Sequence, residues 1–329
     1  MDPQYDLIIV GSGAAGLSAA IYAGRYRMRV LLVNGEFGGE TATAGAIWNY
    51  PGVKGVDGYD LMKVMREQAE EVGTTFIDGM VSHTERVGGC FEIRVGEKKI
   101  ASNTLIFAIG TSRRHLGLPR EKELTGRGVH YCMTCDGPLY TGKKIAVVGG
   151  GDASVKGINL AGEYADHIYF IVRDPEIVAE PINLEQMQKL GEKITVLTGT
   201  EVKEIIGSGK LEKILLNKEI EGSAELPIDG LFVEIGAEPK TAIAEELGVA
   251  VDKGGYIVTD AMARTNVPGV FAAGDAVNFF GRFKQDITAA CLGAVAATSA
   301  YEYKKLHGDL CELHGKPLEE GSVLVTAAS

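Results

Sequence analysis

The stretch Asp6-Leu7-Ile8-Ile9-Val10-Gly11-Ser12-Gly13-Ala14-Ala15-Gly16 decides how the chain begins to fold. An apolar run of strand length ends at Gly11 and passes directly into a complete G-x-G-x-x-G. A helix-like stretch follows at 17–25, then a second apolar run at 29–33. Gly11, Gly13 and Gly16 permit a tight turn and let the backbone approach a pyrophosphate, which also gains from the positive end of the helix. A bare match arises by chance, but a strand before it and a helix after it mark a dinucleotide-binding turn. Ala14 and Ala15, inside the turn, join the candidate cofactor-binding residues. An acidic residue closing the second strand normally holds a ribose hydroxyl. Here Asn34-Gly35-Glu36 stands there; Asn34 can donate and accept hydrogen bonds, and an ordinary polar strand end is an equal alternative.

The pattern occurs twice. Lys144-Ile145-Ala146-Val147-Val148 leads into Gly149-Gly150-Gly151-Asp152-Ala153-Ser154, a helix-like stretch at 155–164 and an apolar run at 168–172. Two such units in 329 residues predict an α/β protein with two Rossmann-like, three-layer dinucleotide-binding domains. Further strands are expected at 91–95, 104–109, 193–197, 202–206, 213–216 and 231–235. A helix at about 287–306 carries small residues on several faces, which suits close packing. The tail beyond about Gly315 is expected to be loosely ordered.

A net charge of −11 argues against nucleic-acid and anionic-membrane partners, which would repel an acidic surface. The longest apolar stretch, 287–300, is interrupted by Thr288, Gly293, Thr298 and Ser299 and is too short to span a bilayer. The acidic N-terminus enters a strand at once, with no secretory signal. Five scattered cysteines are unlike a secreted disulfide framework, so a cytoplasmic protein is expected.

Cys132 and Cys135 form a C-x-x-C between the two glycine turns, followed at once by Asp136 and Gly137. Such a pair can close into a disulfide and reopen, and Asp136 is an acid able to shuttle protons beside it. A zinc site would need a second pair or nearby histidines. Cys90, Cys291 and Cys311 stand alone, and His307 and His314 lie in the terminal segment, so no metal is expected. The three remaining cysteines are expected to fill space as buried thiols. The six histidines default to structural or surface roles. Strand alternation can place His130 on the same face as Cys132, without making it the base.

With these residues in order from about Tyr5 to about Lys305, the chain resembles the low-molecular-weight thioredoxin reductases. The resemblance is carried by the first glycine turn, Gly38-Gly39-Glu40, Asn49-Tyr50-Pro51-Gly52, Gly110-Thr111, Cys132–Gly137, Gly149–Asp152, Phe271–Asp275 with its Gly274, and Lys284-Gln285-Asp286-Ile287-Thr288-Ala289. It implies FAD in a discontinuous domain, 1–113 and 243–310, with a nicotinamide-type domain, 114–242, inserted and a tail at 311–329. It also implies that Gly38, Gly39, Glu40 and Asn49 lie along the flavin. Asp275 would hold its ribityl–phosphate portion, and Gln285 would start a helix pointing at the ring. Cys135 would face the flavin, Cys132 would attack the partner's disulfide, and Asp136 would give and take the proton. A homodimer and a thioredoxin or glutaredoxin-like partner are implied as well. Glu40 stands where glutamine is usual and Lys284 where arginine is usual; Glu40 adds a charge that could alter the flavin's potential.

The second domain departs from the resemblance. NADPH-specific members carry His-Arg-Arg and, after three intervening residues, a further arginine to grip the 2′-phosphate. Here Val172, Arg173, Asp174 and Val178 match those positions, so one of three arginines remains and Asp174 repels a phosphate. NADPH is disfavoured, and the acidic residue usual for NADH would fall at Val172. Gly149, Gly151, Asp152, Ala153 and Arg173 remain the candidate nicotinamide-binding residues; ferredoxin or a deazaflavin is the alternative donor.

The leading expectation is therefore reduction of a protein disulfide through FAD and the Cys132–Cys135 pair. Domain rotation, with hinges near His115-Leu116-Gly117 and at 236–241, would let the pair meet flavin and protein in turn. An oxygen-using dithiol oxidase and a redox-sensing interaction protein are the alternatives.

Overall fold

The computed structural model describes residues 5–220, 222–281 and 283–308. The expected tail, Cys311 and His314 lie outside them. The chain separates into two compact units, one running through Thr111 and resuming at Pro239, the other Ser112–Glu238. It is an α/β fold with a mainly parallel sheet in each unit.

In the first unit the strand Tyr5–Val10 is buried along its whole length. It pairs in parallel with Val30–Asn34 on one side and with the C-terminal half of Lys98–Phe107 on the other. Burial on both faces explains why these strands read as unbroken apolar runs. Thr75–Asp78 extends the sheet beyond Val30–Asn34, and Val270–Ala272 pairs with Leu105–Phe107. The N-terminal half of Lys98–Phe107 instead pairs antiparallel with Cys90–Val95, which pairs with Val81–Val87. That half is only partly buried, and its mixed polarity hides it from a search for apolar runs.

The first helix, Ala14–Arg25, packs against the long C-terminal helix Asp286–His307. Small residues permit the approach: a Cβ on Gly293 would lie 2.0 Å from the Ala15 carbonyl oxygen. Asp6, buried at the foot of the first strand, receives hydrogen bonds from Arg29 at 2.7 Å and from Lys304 at 2.6 Å. One carboxylate thus ties together the first strand, the second strand's entry and the last turn of the final helix.

The second unit has a five-stranded parallel sheet in the order Val129–His130, Gly230–Val233, Lys144–Val148, His167–Val172, Ile194–Thr198. Alternate residues separate into two cores. Ile145, Val147, Phe170 and Phe232 pack with Val155, Ile158 and Ala161 of the helix Asp152–Ala161. Ala146, Val148, Ile171, Leu231 and Val233 pack with Ile214, Leu216 and Leu226 of an antiparallel three-stranded sheet. Period-two alternation thus produces helix, sheet and second sheet as three layers.

The cysteines differ from expectation in two places. Cys90 is buried but disulfide-bonded rather than a space-filling thiol. Cys291 is a free thiol, and it is exposed because Ala290 and Leu292 take the buried face of its helix.

Candidate active site

The first glycine turn is built as its spacing demands. Gly11 has φ +109°, and a Cβ there would lie 2.2 Å from the Ala108 carbonyl oxygen. Gly16 is buried under the turn, where a Cβ would meet the Gly11 oxygen at 1.9 Å. At Gly13 the nearest atom to a Cβ is 3.8 Å away, so the space above it is open for an incoming group. A cleft runs from this turn, lined there by Gly11, Gly13, Ala14 and Ala15. Gly35, Glu36, Gly38, Gly39 and Glu40 line its wall after the second strand. Gly110, Thr111, Gly274, Asp275 and Asp286 line it from elements distant in sequence. Open glycine backbone at a helix N-terminus, leading into a cleft with carboxylates, fits the pyrophosphate and ribityl hydroxyls of FAD.

The carboxylates are held differently from surface acids. Burial pushes Asp275 up to about 6, with Asp286 and Glu40 adding to the rise and Lys284 opposing it. Burial also raises Asp286, against the Thr41 hydroxyl that donates to it at 2.5 Å. Asp275 can therefore donate to a sugar hydroxyl below about 6 and accept from one above it.

Several expected residues sit beside the cleft rather than on its wall. Asn34 is buried, with its carbonyl taking a hydrogen bond from Ser12 and its amide donating to Asp78 at 2.6 Å. Its side chain therefore braces the turn, and Glu36, two residues on, is the acid after the second strand that reaches the cleft wall. Asn49 donates to Gln285 at 2.8 Å, so two distant motifs meet at the cap of the final helix. Lys284 donates to the Val277 carbonyl and lies 4.6 Å from the Tyr256 ring. Met80, Lys240 and Thr241 also line the cleft, and Lys240 lies 3.5 Å from Glu36. None of the three carries a motif; only folding reveals them. Thr41 was within reach, one residue beyond Gly38-Gly39-Glu40.

In the second unit Cys132 and Cys135 are joined in a disulfide, their Cα atoms 5.3 Å apart. Cys132 caps the four-residue helix Met133–Asp136, and the Cys135 N–H donates to its sulfur at 3.2 Å. An N–H aimed at sulfur favours the thiolate once the bond opens. Cys135 is exposed, Cys132 half-buried and Asp136 partly open to solvent. His130, buried on the strand before them, places Nδ1 2.9 Å from Asp136 Oδ2. Strand alternation was the signal for that placement, and it did not reveal the partner.

The second glycine turn, Gly149 to Ala153, leads into the helix Asp152–Ala161. Asp152 accepts from the Glu180 N–H at 3.0 Å and from Asn183 at 2.8 Å, and pairs with Lys156 at 2.8 Å. Burial opposes its ionisation, but Lys156 and these donors hold its carboxyl below the usual range. Arg173 is 74% exposed and lies 3.5 Å from Asp174. Val178 pairs with Gly151 beside the turn. Among the described residues no group of three metal-ligating side chains occurs, and no helix is long and apolar enough to cross a membrane.

The family model for pyridine nucleotide-disulphide oxidoreductases matches residues 5–296. The chain belongs to that family. It is similar to a thioredoxin reductase of Coxiella burnetii, 37% identical over 92% of this chain and 97% of that one. Among solved structures, Lactococcus lactis thioredoxin reductase superposes with a TM-score of 0.86 at 33% identity, covering 91% of this chain and 99% of that chain. The T. acidophilum thioredoxin reductase gives 0.84 at 33% identity, covering 92% and 99%. The family couples FAD and a nicotinamide cofactor to disulfide chemistry.

Proposed function

We propose that this chain is an FAD-dependent thioredoxin-disulfide reductase, with FAD in the cleft of the first unit. The observation that carries the reading is the Cys132–Cys135 disulfide on an exposed helical turn with Asp136 next in sequence. FAD, when bound, supplies a two-electron relay between a soluble donor and this pair.

The chain's own residues account for the disulfide exchange. In the reduced protein the Cys132 thiolate attacks one sulfur of the partner's disulfide, forming a mixed disulfide and expelling a partner thiolate. Cys135 then attacks the Cys132 sulfur, which restores the internal disulfide and expels the second thiolate. Two electrons and two protons have moved to the partner, with Asp136 carrying protons between sulfurs. The partner is thioredoxin or a glutaredoxin-like protein.

The donor is NADH in preference to NADPH. Arg173 already faces Asp174, Val178 stands where a further arginine would grip a phosphate, and a 2′-phosphate would meet the Asp174 charge. The test is anaerobic: protein loaded with FAD is mixed in turn with NADH, NADPH, reduced ferredoxin and a reduced deazaflavin while flavin bleaching is followed. NADH should bleach faster than NADPH. In Cys135→Ser, bleaching should persist while thioredoxin reduction vanishes; thioredoxin reduction surviving in that variant would contradict the reading.

A further inference from the structure

We infer that His130 is a positioning residue for the dithiol's acid: it clamps one carboxylate oxygen of Asp136 while Tyr140 fixes the imidazole from the other side. This rests on Asp136 as the acid. His130 is 4% exposed, whereas the Asp136 side chain is 37% exposed. The imidazole lies between Asp136 and Tyr140, with Nδ1 2.9 Å from Asp136 Oδ2 and Nε2 2.7 Å from the Tyr140 hydroxyl. Phe232 stacks on its face at 5.3 Å and Tyr140 meets it edge-on. A buried histidine bonded at both nitrogens, with one bond to an acid beside a redox disulfide, goes beyond what packing requires.

The tautomer follows from the surroundings. Burial raises the Tyr140 pKa, and the charges of Asp136 and Asp229 raise it further, so the phenol keeps its proton. Donating that proton's hydrogen bond to Nε2 leaves the imidazole N–H on Nδ1, aimed at the carboxylate. Of the other elements against the site, the strand Gly230–Val233 brings Phe232 and, just before it, the Asp229 charge felt by Tyr140, and the helix Asp152–Ala161 lays Gly157 against Met133.

With Oδ2 clamped, Oδ1 carries the moving proton. As Cys135 attacks the Cys132–partner bond, the Cys135 proton passes to Asp136 and then to the expelled partner thiolate. The S–S bond to the partner breaks, the Cys132–Cys135 bond forms, and the carboxylate returns to its starting state with no net proton on His130. The Nδ1–H bond stabilises the carboxylate left behind when the proton departs, so its loss makes Asp136 slower to release that proton to the expelled thiolate.

The test uses FAD-loaded protein prereduced with dithionite and mixed anaerobically with oxidised bacterial thioredoxin across pH. In His130→Phe, which keeps the stacked ring, single-turnover reduction should slow on the order of tenfold. Its acid limb should move to higher pH, with apparent affinity for thioredoxin unchanged. His130→Asn, whose amide N–H can take the Nδ1 place, should restore the limb. Tyr140→Phe should move it less, in the same direction, because the hydroxyl strengthens the imidazole as a donor. A His130→Phe protein with an unmoved acid limb overturns the inference, as does His130→Asn behaving like the phenylalanine variant. Full turnover in Asp136→Asn would instead remove the acid itself, a separate failure.

Discussion

A Cβ on Gly16 would lie 1.9 Å from the carbonyl oxygen of Gly11, so the third glycine of the first turn is what closes the helix onto the strand. Backbone cannot yield at both ends of a buried turn. Gly16→Ala should therefore cost roughly 1–3 kcal/mol, as overpacking does, and should weaken FAD retention. The check is thermal unfolding together with the flavin content of purified protein. Unchanged stability and flavin content would refute the role given to this close approach.

Asp275 produces a pH effect of unusual sign. Burial raises its folded-state pKa to about 6, Asp286 and Glu40 add to this, and Lys284 opposes. The unfolded value is near ~4, so between those two values the folded chain holds a proton that the unfolded chain has lost. Stability of the flavin-free protein from this group should fall as pH rises through that window. Melting temperatures of the parent and Asp275→Asn, compared across the window, should diverge in favour of the asparagine as pH increases.

Asp6 has the opposite sign. Burial opposes its charge, but Arg29 and Lys304 hold its carboxyl below the usual range. Its contribution is fully present above the unfolded value and is lost as pH falls through the lower folded one. Asp6→Asn, which removes a buried carboxylate from a half-exposed Arg29 and a partly exposed Lys304, should cost about 1–2 kcal/mol at neutral pH. Denaturant unfolding of parent and variant should show that gap closing in acid.

Much of this was legible in the residues, and the exceptions have physical reasons. Lys144–Val148 lies where its apolar run places it, because burial on a sheet writes itself into sequence. The first helix begins at Ala14 rather than 17, since its opening residues are the glycine turn itself. Thr75–Asp78 and Val81–Val87 carry mixed polarity at the sheet's flanks and escape a search for apolar runs. In the cleft, glycines declared themselves through spacing, whereas Met80 and Lys240 arrive by tertiary folding alone. Asn34 could be placed at its strand end but not aimed, and its bonds to Ser12 and Asp78 come from across the sheet. His130 was visible as a neighbour of the dithiol, but its bond to Asp136 depended on a turn that sequence does not orient.

The most direct test of the account is an anaerobic dithionite titration of FAD-loaded protein, counting electron pairs taken up per flavin. The parent should accept two pairs, one for the flavin and one for the Cys132–Cys135 disulfide, and Cys135→Ser should accept one. A parent that saturates after a single pair would show that no disulfide exchanges electrons with the flavin, and would contradict the central claim.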